Sequence, residues 1–404
     1  MLGIIPHIDS TRIYPTSQQF HSLAKLFGCC RVVWNDSLAS CNSSDKLPSK
    51  VDRQKTFITQ AKKSEQREWL AEVSNIPLQQ SIADLGVAWK NYFDSLKGKR
   101  KGRKVSRPKF KKRNGRQSAR FRIGGFSIKH GKIYLARIGR IEVVWSRELP
   151  SPPSSVTVIK DAANRYFVSF VVEVNPAILP DNGQSVGIDL GITDFATLST
   201  GKKIKAPKPL KKNLRKLHKA QRKLARKKKG SRRRELARRK VARIHARISD
   251  IRNDFLHKLS TRIIRENQTI ILEDLNVSGM MKNRKLSRAI SDLGWRSFRT
   301  MLEAKSEMYG RDFRVISRWE PTSQRCSCCR QIGGKKELSV REWTCLFCGA
   351  VHDRDQNAAI NIKVAGGLPE TINGRGGWSK TASNAASSSE ASTHQFPKQP
   401  SLFG

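Results

Sequence analysis

The sequence predicts a multidomain α+β protein. A helical region comes first, then a small antiparallel β domain, then a mixed region of strands and basic helices with an inserted four-cysteine zinc ribbon. Three observations predict it. The apolar period changes from helical to strand-like near residue 120. Beyond residue 184, two apolar strands each carry a carboxylate. Finally, Cys326-x2-Cys329 and Cys345-x2-Cys348 stand fifteen residues apart. At 404 residues with 37% hydrophobic content, the chain has room for two or three domains with real cores.

Residues Thr11 to Thr16 read as a short strand stopped by Pro15. From Ser17 to Lys97 the period is helical. Trp69, Val73, Ile76 and Leu78 are followed by Ile82, Leu85, Trp89 and Phe93, whose three- and four-residue steps share one helix face. Lys97 to Arg116 is basic, contains glycine and Pro108, and reads as a linker or a loop facing nucleic acid. Next, Phe126–Ile128 and Lys132–Leu135 flank His130-Gly131, a hairpin signal. Ile141–Trp145 follows. Val156–Ile159 and Tyr166–Val172 then flank Asp161 to Asn164, completing a small antiparallel domain and a candidate barrel. Pro176 to Gly183 reads as a boundary. No internal repeat is visible. The tail from about Gly366 is rich in Gly, Ser, Ala and Asn, has little to bury, and is expected to be disordered.

The charge is the strongest compositional signal. Lys plus Arg number 79 against 33 Asp plus Glu, a formal net charge of +46. Such an excess repels itself unless a polyanion neutralises it, and nucleic acid is the natural counterion. Residues 201–250 hold 23 Lys or Arg against two acids, Glu235 and Asp250, with a sparse stripe of Leu210, Leu214, Leu217, Leu224, Leu236, Val241 and Ile244. Two helices broken near Gly230 fit this pattern. Ordinary solvated helices mix both signs, so this one-sided charge favours contact with an RNA or RNA–DNA backbone. No apolar run reaches the ~18 residues of a spanning helix, and Met1 to Ser10 lacks an export-type core. A cytoplasmic protein is expected, nucleoid-associated when bound to DNA.

Val186 to Ile192 is an apolar strand interrupted by Asp189. A bare carboxylate there is costly unless a cation meets it, and Mg2+ would serve. The alternative is a strand-end Asp that caps a turn. Thr269 to Leu272 is a second apolar strand and runs into Glu273-Asp274; Glu273 continues the strand and Asp274 begins the turn. A third element, Asp353 to Ile362, is helical by its apolar spacing. Either Asp353 or Asp355 serves as its N-cap, and Asp355 is the candidate to project towards the strands. Three acids on separate elements suit two-metal phosphodiester hydrolysis, because they hold metal yet leave positions for water and phosphate.

The chain's eight cysteines divide into two groups. Cys29, Cys30 and Cys41 are scattered and expected to be buried or inert. Five crowd between 326 and 348, and Cys326, Cys329, Cys345 and Cys348 match a structural Zn2+ ribbon with four thiolate ligands. Cys328 is an extra thiol in the first knuckle. Asp353 follows Cys348 by five residues, so the ribbon is positioned to aim the third carboxylate.

The whole pattern resembles the TnpB family, transposon-encoded relatives of the type V CRISPR effectors. The likeness rests on Gly187–Ile192, Leu272–Leu275, Gly294–Phe298, the ribbon with Arg341–Cys345, and His352–Ala359. Arg12–Pro15 and Asn75–Gln80 add to it. The extra Cys328, the lead-in Trp319-Glu320-Pro321 and Met1 to Ser10 depart from it. The resemblance implies an RNA-guided DNA endonuclease with a RuvC-like nuclease domain of RNase H fold. Asp189, Glu273 and Asp355 would hold two catalytic Mg2+ ions and cut double-stranded DNA beside a short motif. A guide RNA from the transposon end would be the partner, one protein per guide. In family terms, 1–16 supplies the first strand of a wedge β domain completed by 117–178. Residues 17–116 form a helical recognition domain. Residues 184–318 and 351–366 form the nuclease domain, 319–350 the ribbon that binds target nucleic acid, and 367–404 the tail. Gln79, Gln80, Ser81 and Arg120 would lie near the DNA motif. Lys211, Lys212, Arg215, Lys219, Arg222 and Arg226 are the candidate backbone contacts. The competing readings are an RNA-guided DNA-binding repressor, whose relatives lose acids of the triad, and a basic zinc-ribbon RNA-binding protein, which needs no triad.

Overall fold

The computed structural model describes residues 5–367, except 101–103, 114, 146 and 338, and the strands at 370–372 and 378–380. The chain divides into two compact units. One is Met1–Asn175 with Ala220–Arg243, the other Pro176–Lys219 with Ile244–Gly404. Residues 220–243, expected within the 184–318 domain, therefore group with the first unit.

In the first unit, β1 (Ile5–Tyr14) leads into α1 (Ser17–Ser43). Thr16 and Gln19 close a reciprocal capping box that starts α1. One face of α1 buries Leu23, Leu26, Phe27, Cys30, Val33 and Leu38. The short α2 (Lys50–Gln54) and a run of π- and 3-10-helical turns to residue 72 connect it to α3 (Asn75–Leu96). There Ile82, Leu85 and Trp89 are buried as their spacing required, together with Leu78, whereas Phe93, the last of the stripe, is exposed. Cys29 and Cys30 are buried, and burial pushes their thiols up to about 11 and about 12, so they stay protonated and unreactive. The basic segment after α3 is pinned rather than loose. Trp34 Nε1 donates to Lys109 O at 3.1 Å, Asn35 bonds both backbone groups of Lys111, and the Lys111 ammonium sits 3.8 Å above the Trp34 ring.

Six further strands complete the sheet: β2 (Gln117–Arg122), β3 (Phe126–Lys129), β4 (Lys132–Leu135), β5 (Gly139–Val144), β6 (Ser155–Lys160) and β7 (Tyr166–Val174). The order is β2-β6-β7-β1-β5-β4-β3, antiparallel throughout. His130 and Gly131 both take positive φ, 51° and 71°, as a two-residue hairpin turn of primed type requires. β2 and β3 stand at opposite ends of the order, yet only residues 123–125 join them. Six strand spacings span about 29 Å in a flat sheet, whereas four Cα steps reach about 15 Å at most. The sheet must therefore curl until its ends approach. Val156, Val158, Val168, Phe170, Ile133 and Ile141 fill its core.

The second unit is built on β8 (Ser185–Asp189), β9 (Ala196–Leu198), β10 (Lys203–Ile204), β11 (Thr269–Glu273) and β12 (Asp312–Ile316). Their order is β10-β9-β8-β11-β12; β8, β11 and β12 run parallel, and β9 and β10 antiparallel. The basic α4 (Pro209–Ala225) and α5 (Arg232–Glu266) separate β10 from β11, with Gly230 at φ 84° between them. Then α6 (Val277–Met280), α7 (Ser287–Leu293) and α8 (Trp295–Tyr309) lead to β12. Leu256, Ile263, Phe298 and Leu302 cover one face of the sheet with Ile188, Ile270 and Leu272. The hairpin of β13 (Glu342–Thr344) and β14 (Val351–Asp353) precedes α9 (Arg354–Ala365), which packs on β8 and β11. In the tail expected to be disordered, β15 (Glu370–Ile372) and β16 (Trp378–Lys380) pair antiparallel, which corrects the expectation for those strands. Their Thr-Ile and Trp are good strand formers despite the low-complexity surroundings. The rest of that expectation, like Met1 to Ile4, lies outside the described residues.

Candidate active site and metal centre

Asp189 and Glu273 each end a strand. β8 and β11 are parallel neighbours in the register Ile188↔Leu272, so both carboxylates leave the sheet at the same, carboxyl edge. That edge is where open α/β sheets place their ligands. Asp355 comes from the first turn of α9, so a third element contributes.

Gly187 explains how α9 comes so close. A Cβ there would lie 2.2 Å from Ala359 O and 2.5 Å from Lys363 N, so only glycine admits the helix backbone against β8. Of the two acids before α9, Asp353 is the N-cap. Its Oδ1 accepts from Gln356 N at 2.9 Å and its Oδ2 from Lys203 Nζ at 2.6 Å. Asp355 is thereby left to the site, with Arg341 as a looser partner at 3.7 Å. The same sorting occurs at β11. Asp274 is tied to Arg318 and Arg299, whose hydrogen bonds hold its carboxyl below the ordinary range. Glu273 is instead raised, by burial first and by Asp274 second.

The electrostatics single out Asp189. Its pKa is pushed up to about 7, first by burial and then by the negative charges of Asp355 and Glu273. Like charges gathered in a half-buried site cannot all ionise cheaply, and a divalent cation removes the conflict. Unlike the thiols, the three carboxylates do not form a set whose oxygens all lie within 4.8 Å of one another, among the described residues.

The cysteines are already gathered. The Sγ atoms of Cys326, Cys329, Cys345 and Cys348 all lie within 4.8 Å of one another, with Cys326–Cys348 at 3.7 Å and Cys329–Cys345 at 3.6 Å. A tetrahedral Zn2+ with Zn–S bonds of about 2.3 Å needs S···S edges of about 3.8 Å, so this donor set fits the ion. The two knuckles are built alike. Arg330 N returns to Cys326 O and Gly349 N to Cys345 O, with φ at 67° and 73°. The extra Cys328 faces another way. It is exposed, and it groups with Cys326 and the buried His352, whose Nε2 is 3.0 Å from Cys326 Sγ.

A connection that the sequence reading missed links ribbon and helix. Asn357 and Asn361, one turn apart on α9, are buried. Both donate to Arg325 O, at 2.8 and 2.7 Å, and Asn361 also donates to Thr322 O at 2.8 Å. Asn357 Oδ1 accepts from Ser327 N at 2.8 Å. The helix that carries Asp355 is thus clamped to the first knuckle. An i, i+4 pair of asparagines in a short helix was the available signal, since Asn is otherwise a poor helix former.

The predicted nucleic-acid contacts divide. Lys211, Lys212, Arg215, Lys219, Arg222 and Arg226 are all exposed. At ~100° per residue they fall within one sector about 100° wide on α4 and its continuation. Leu217 and Ala220 point the other way and are buried. Gln79 and Gln80 are half-buried near the start of α3. Ser81 is corrected: it is 5% exposed and its hydroxyl donates to Cys30 O at 2.8 Å, so it fastens α3 to α1 and cannot reach a ligand. Three successive residues of a helix cannot share one face, and Ser81 is the one that points inwards. Arg120 is ion-paired with Asp84.

Residues 169–284 match a family model described as "Probable transposase" and residues 295–362 one described as "Cas12f1-like, TNB domain". Residues 10–44 match a model described as a helix-turn-helix domain, although here they form the end of β1 and the single helix α1. A Streptomyces pristinaespiralis protein is 45% identical over 362 residues, 88% of each chain. The InsQ protein of Escherichia coli K12 is 30% identical over 376 residues, 88% of this chain and 91% of its own. Both bear the name "Putative RNA-guided DNA endonuclease". Among solved structures, the protein of a Cas12f1–sgRNA–target DNA complex shares the multidomain α+β fold. Its TM-score is 0.53 at 11% identity, covering 89% of this chain and 99% of that one. With relatives this similar over most of their length, the chain belongs to the family its motifs resemble, the TnpB family.

Proposed function

We propose that this chain is an RNA-guided DNA endonuclease of a transposon, with Asp189, Glu273 and Asp355 as its catalytic carboxylates. The observation that carries the reading is the pair of strand-end acids on β8 and β11 faced by Asp355, with Asp189 raised to about 7 by burial and by the other two. The order β10-β9-β8-β11-β12, three parallel strands with an antiparallel edge, fits an RNase H fold and hence a RuvC-like domain over 184–318 and 351–366. The curled sheet fits the wedge domain, 17–116 the recognition domain, and 319–350 a zinc ribbon.

Bound Mg2+ ions would supply an activated water and stabilise the leaving oxygen of the phosphodiester. The chain's own residues do the rest. Asp189 and Glu273, fixed by strand register, define two corners of the site. Asp355 defines the third from a helix that Gly187 lets approach. Arg299 and Arg318 hold Asp274 away from the centre, so it does not compete. The exposed cations of α4 hold nucleic-acid backbone without reading sequence. Retention of all three acids favours cleavage over the repressor reading.

The test is cleavage of a plasmid carrying a guide-matched target by the purified protein–RNA complex with Mg2+. Asp189→Ala is expected to lose about a hundred- to a thousandfold in rate, the scale of a lost stabilising group, while still binding guide RNA. Near-normal cutting by that variant would sink the assignment.

A further inference from the structure

The ribbon carries more donors than one tetrahedral ion needs. Beside the four gathered thiols stand Cys328 and His352. With Cys326 these two form a second group, whose ligand atoms again all lie within 4.8 Å of one another. Cys326 therefore belongs to both groups. Its buried Sγ stands 3.7 Å from Cys348 Sγ, the four-thiol partner. It also meets His352 Nε2 at 3.0 Å and accepts from Cys328 N at 3.4 Å. The imidazole is held in place without any ion. On β14 His352 pairs across the hairpin with Trp343, their rings 4.9 Å apart, and the Lys336 ammonium sits 3.5 Å above the Trp343 ring.

The two groups differ in readiness and in access. The four thiols already stand at the spacing of a tetrahedral ion. An ion shared by a thiolate and an imidazole, with bonds of about 2.3 and 2.0 Å, needs an S···N edge of about 3.5 Å, so Cys326 and His352 must open slightly to take one. The four-thiol set is closed, whereas three donors leave a fourth position to water. Two thiolates and an imidazole suit a zinc-class cation and not Mg2+. A closed thiolate site takes or releases its ion only by exchanging ligands. Cys348 is exposed, but it is one of the four, so a second ion can use it only as the first lets go. Cys328 is exposed as well, and neither it nor His352 belongs to the four-thiol set. Both can therefore meet a second ion while the first keeps every ligand.

We propose that Cys326, Cys328 and His352 form a second, solvent-open metal site, through which a zinc-class ion enters and leaves the four-thiol site. Cys326 is the shared thiolate. Cys328 and His352 take the incoming ion, and Cys326 bridges to it. The ion then passes inwards as Cys329, Cys345 and Cys348 replace the two outer donors. A departing ion follows the same steps in reverse. Each thiol gives up its proton to solvent as it binds and recovers one as it lets go, so the exchange needs no oxidant or reductant. The inference rests on the four thiols being a zinc site and not on the RNA-guided reading.

The experiment challenges the zinc-loaded, full-length protein with Cd2+ and follows protein-bound zinc by metal analysis after rapid desalting. Zinc loss should speed up as Cd2+ is raised, because the second ion docks before the first departs. A rate independent of Cd2+ overturns the proposal, and this arm needs no variant. Cys328→Ser should keep its zinc as purified but exchange it about tenfold more slowly, the least that loss of a neighbouring donor usually costs a metal site. An unchanged rate in Cys328→Ser, with its melting temperature intact, overturns the proposal and leaves Cys348 as the way in. A Cys328→Ser protein purified without zinc overturns it too, since Cys328 would then be a resting ligand. Mg2+ in place of Cd2+ should leave the zinc where it is, and equal release would overturn the donor argument. The zinc reading fails separately, if the wild-type protein contains no zinc as purified.

Discussion

Asp189→Asn should make the metal-free protein more stable. The change keeps the size of the side chain and removes its charge. In the folded chain the Asp189 pKa stands at about 7 instead of the ordinary 3.8, because burial and the charges of Asp355 and Glu273 oppose ionisation. An acid raised in this way binds its proton more tightly folded than unfolded. Ionising it therefore costs stability progressively as pH rises from about 4 to about 7, and the full cost is present above 7. At about 1.4 kcal/mol per pH unit the ceiling is about 4 kcal/mol. Side-chain relaxation and partial exposure reduce this to about 2 kcal/mol. For a unit of this size that corresponds to a rise in melting temperature of about 4–8 °C. The assay is calorimetry of both proteins at pH 8 and pH 5.5, in Mg2+-free buffer without chelator, so that the cysteine site is left alone. The gap should shrink to roughly half at the lower pH. Added Mg2+ should raise the melting temperature of the wild type more than that of Asp189→Asn. A variant no more stable than wild type at pH 8, or a gap that does not depend on pH, would refute the argument that these carboxylates crowd one site.

Three further outcomes follow from packing and chemistry. Gly187→Ala should displace α9, because the atoms it meets are backbone and cannot swing aside. A destabilisation of about 3 kcal/mol, the upper end of the usual cost of overpacking, and loss of cleavage are expected, and a variant melting within a degree of wild type would contradict the close approach. Asn357→Ala should cost about 1–3 kcal/mol by leaving buried partners unsatisfied, and should slow cutting while zinc content is kept; equal loss of zinc would show that the clamp serves the ribbon alone. Cys345→Ser should lose zinc by metal analysis and expose the ribbon to proteolysis, and an undiminished zinc content would exclude this ligand set.

Much of the fold was legible because it rests on local rules. The His130-Gly131 hairpin, the buried stripe of α3 and the two C-x2-C knuckles each follow from residues close together in sequence. Asp189 and Glu273 stood out as candidates because apolar strands rarely tolerate acids, and Asp355 because it opens a helix. What the sequence left open were choices between neighbours. Asp353 or Asp355, Glu273 or Asp274, Cys328 or Cys329 differ only in which partner comes to meet them from elsewhere. Lys203, lying 150 residues from Asp353, bonds that acid; Arg299 and Arg318 bond Asp274; the four-thiol group takes Cys329 and leaves Cys328 beside Cys326 and His352. Long-range partners of this kind have no local signature.

The position of the ribbon has a mechanical reason. Asp355 is the one carboxylate of the three that no strand holds. Its helix has twelve residues, too few for stability by itself; it buries Ala358, Ala359 and Ile362, and Ile362 packs with Ile271 and Ile316. Two constraints make up the difference. Gly187 fixes how near α9 comes, and the Asn357–Asn361 clamp fixes its rotation against a knuckle that metal would make rigid. A loop in place of the ribbon could satisfy the same carbonyls, but it would transmit its own motion to Asp355. A tetrahedral cysteine site would close that loop on itself and so steady the helix that carries Asp355.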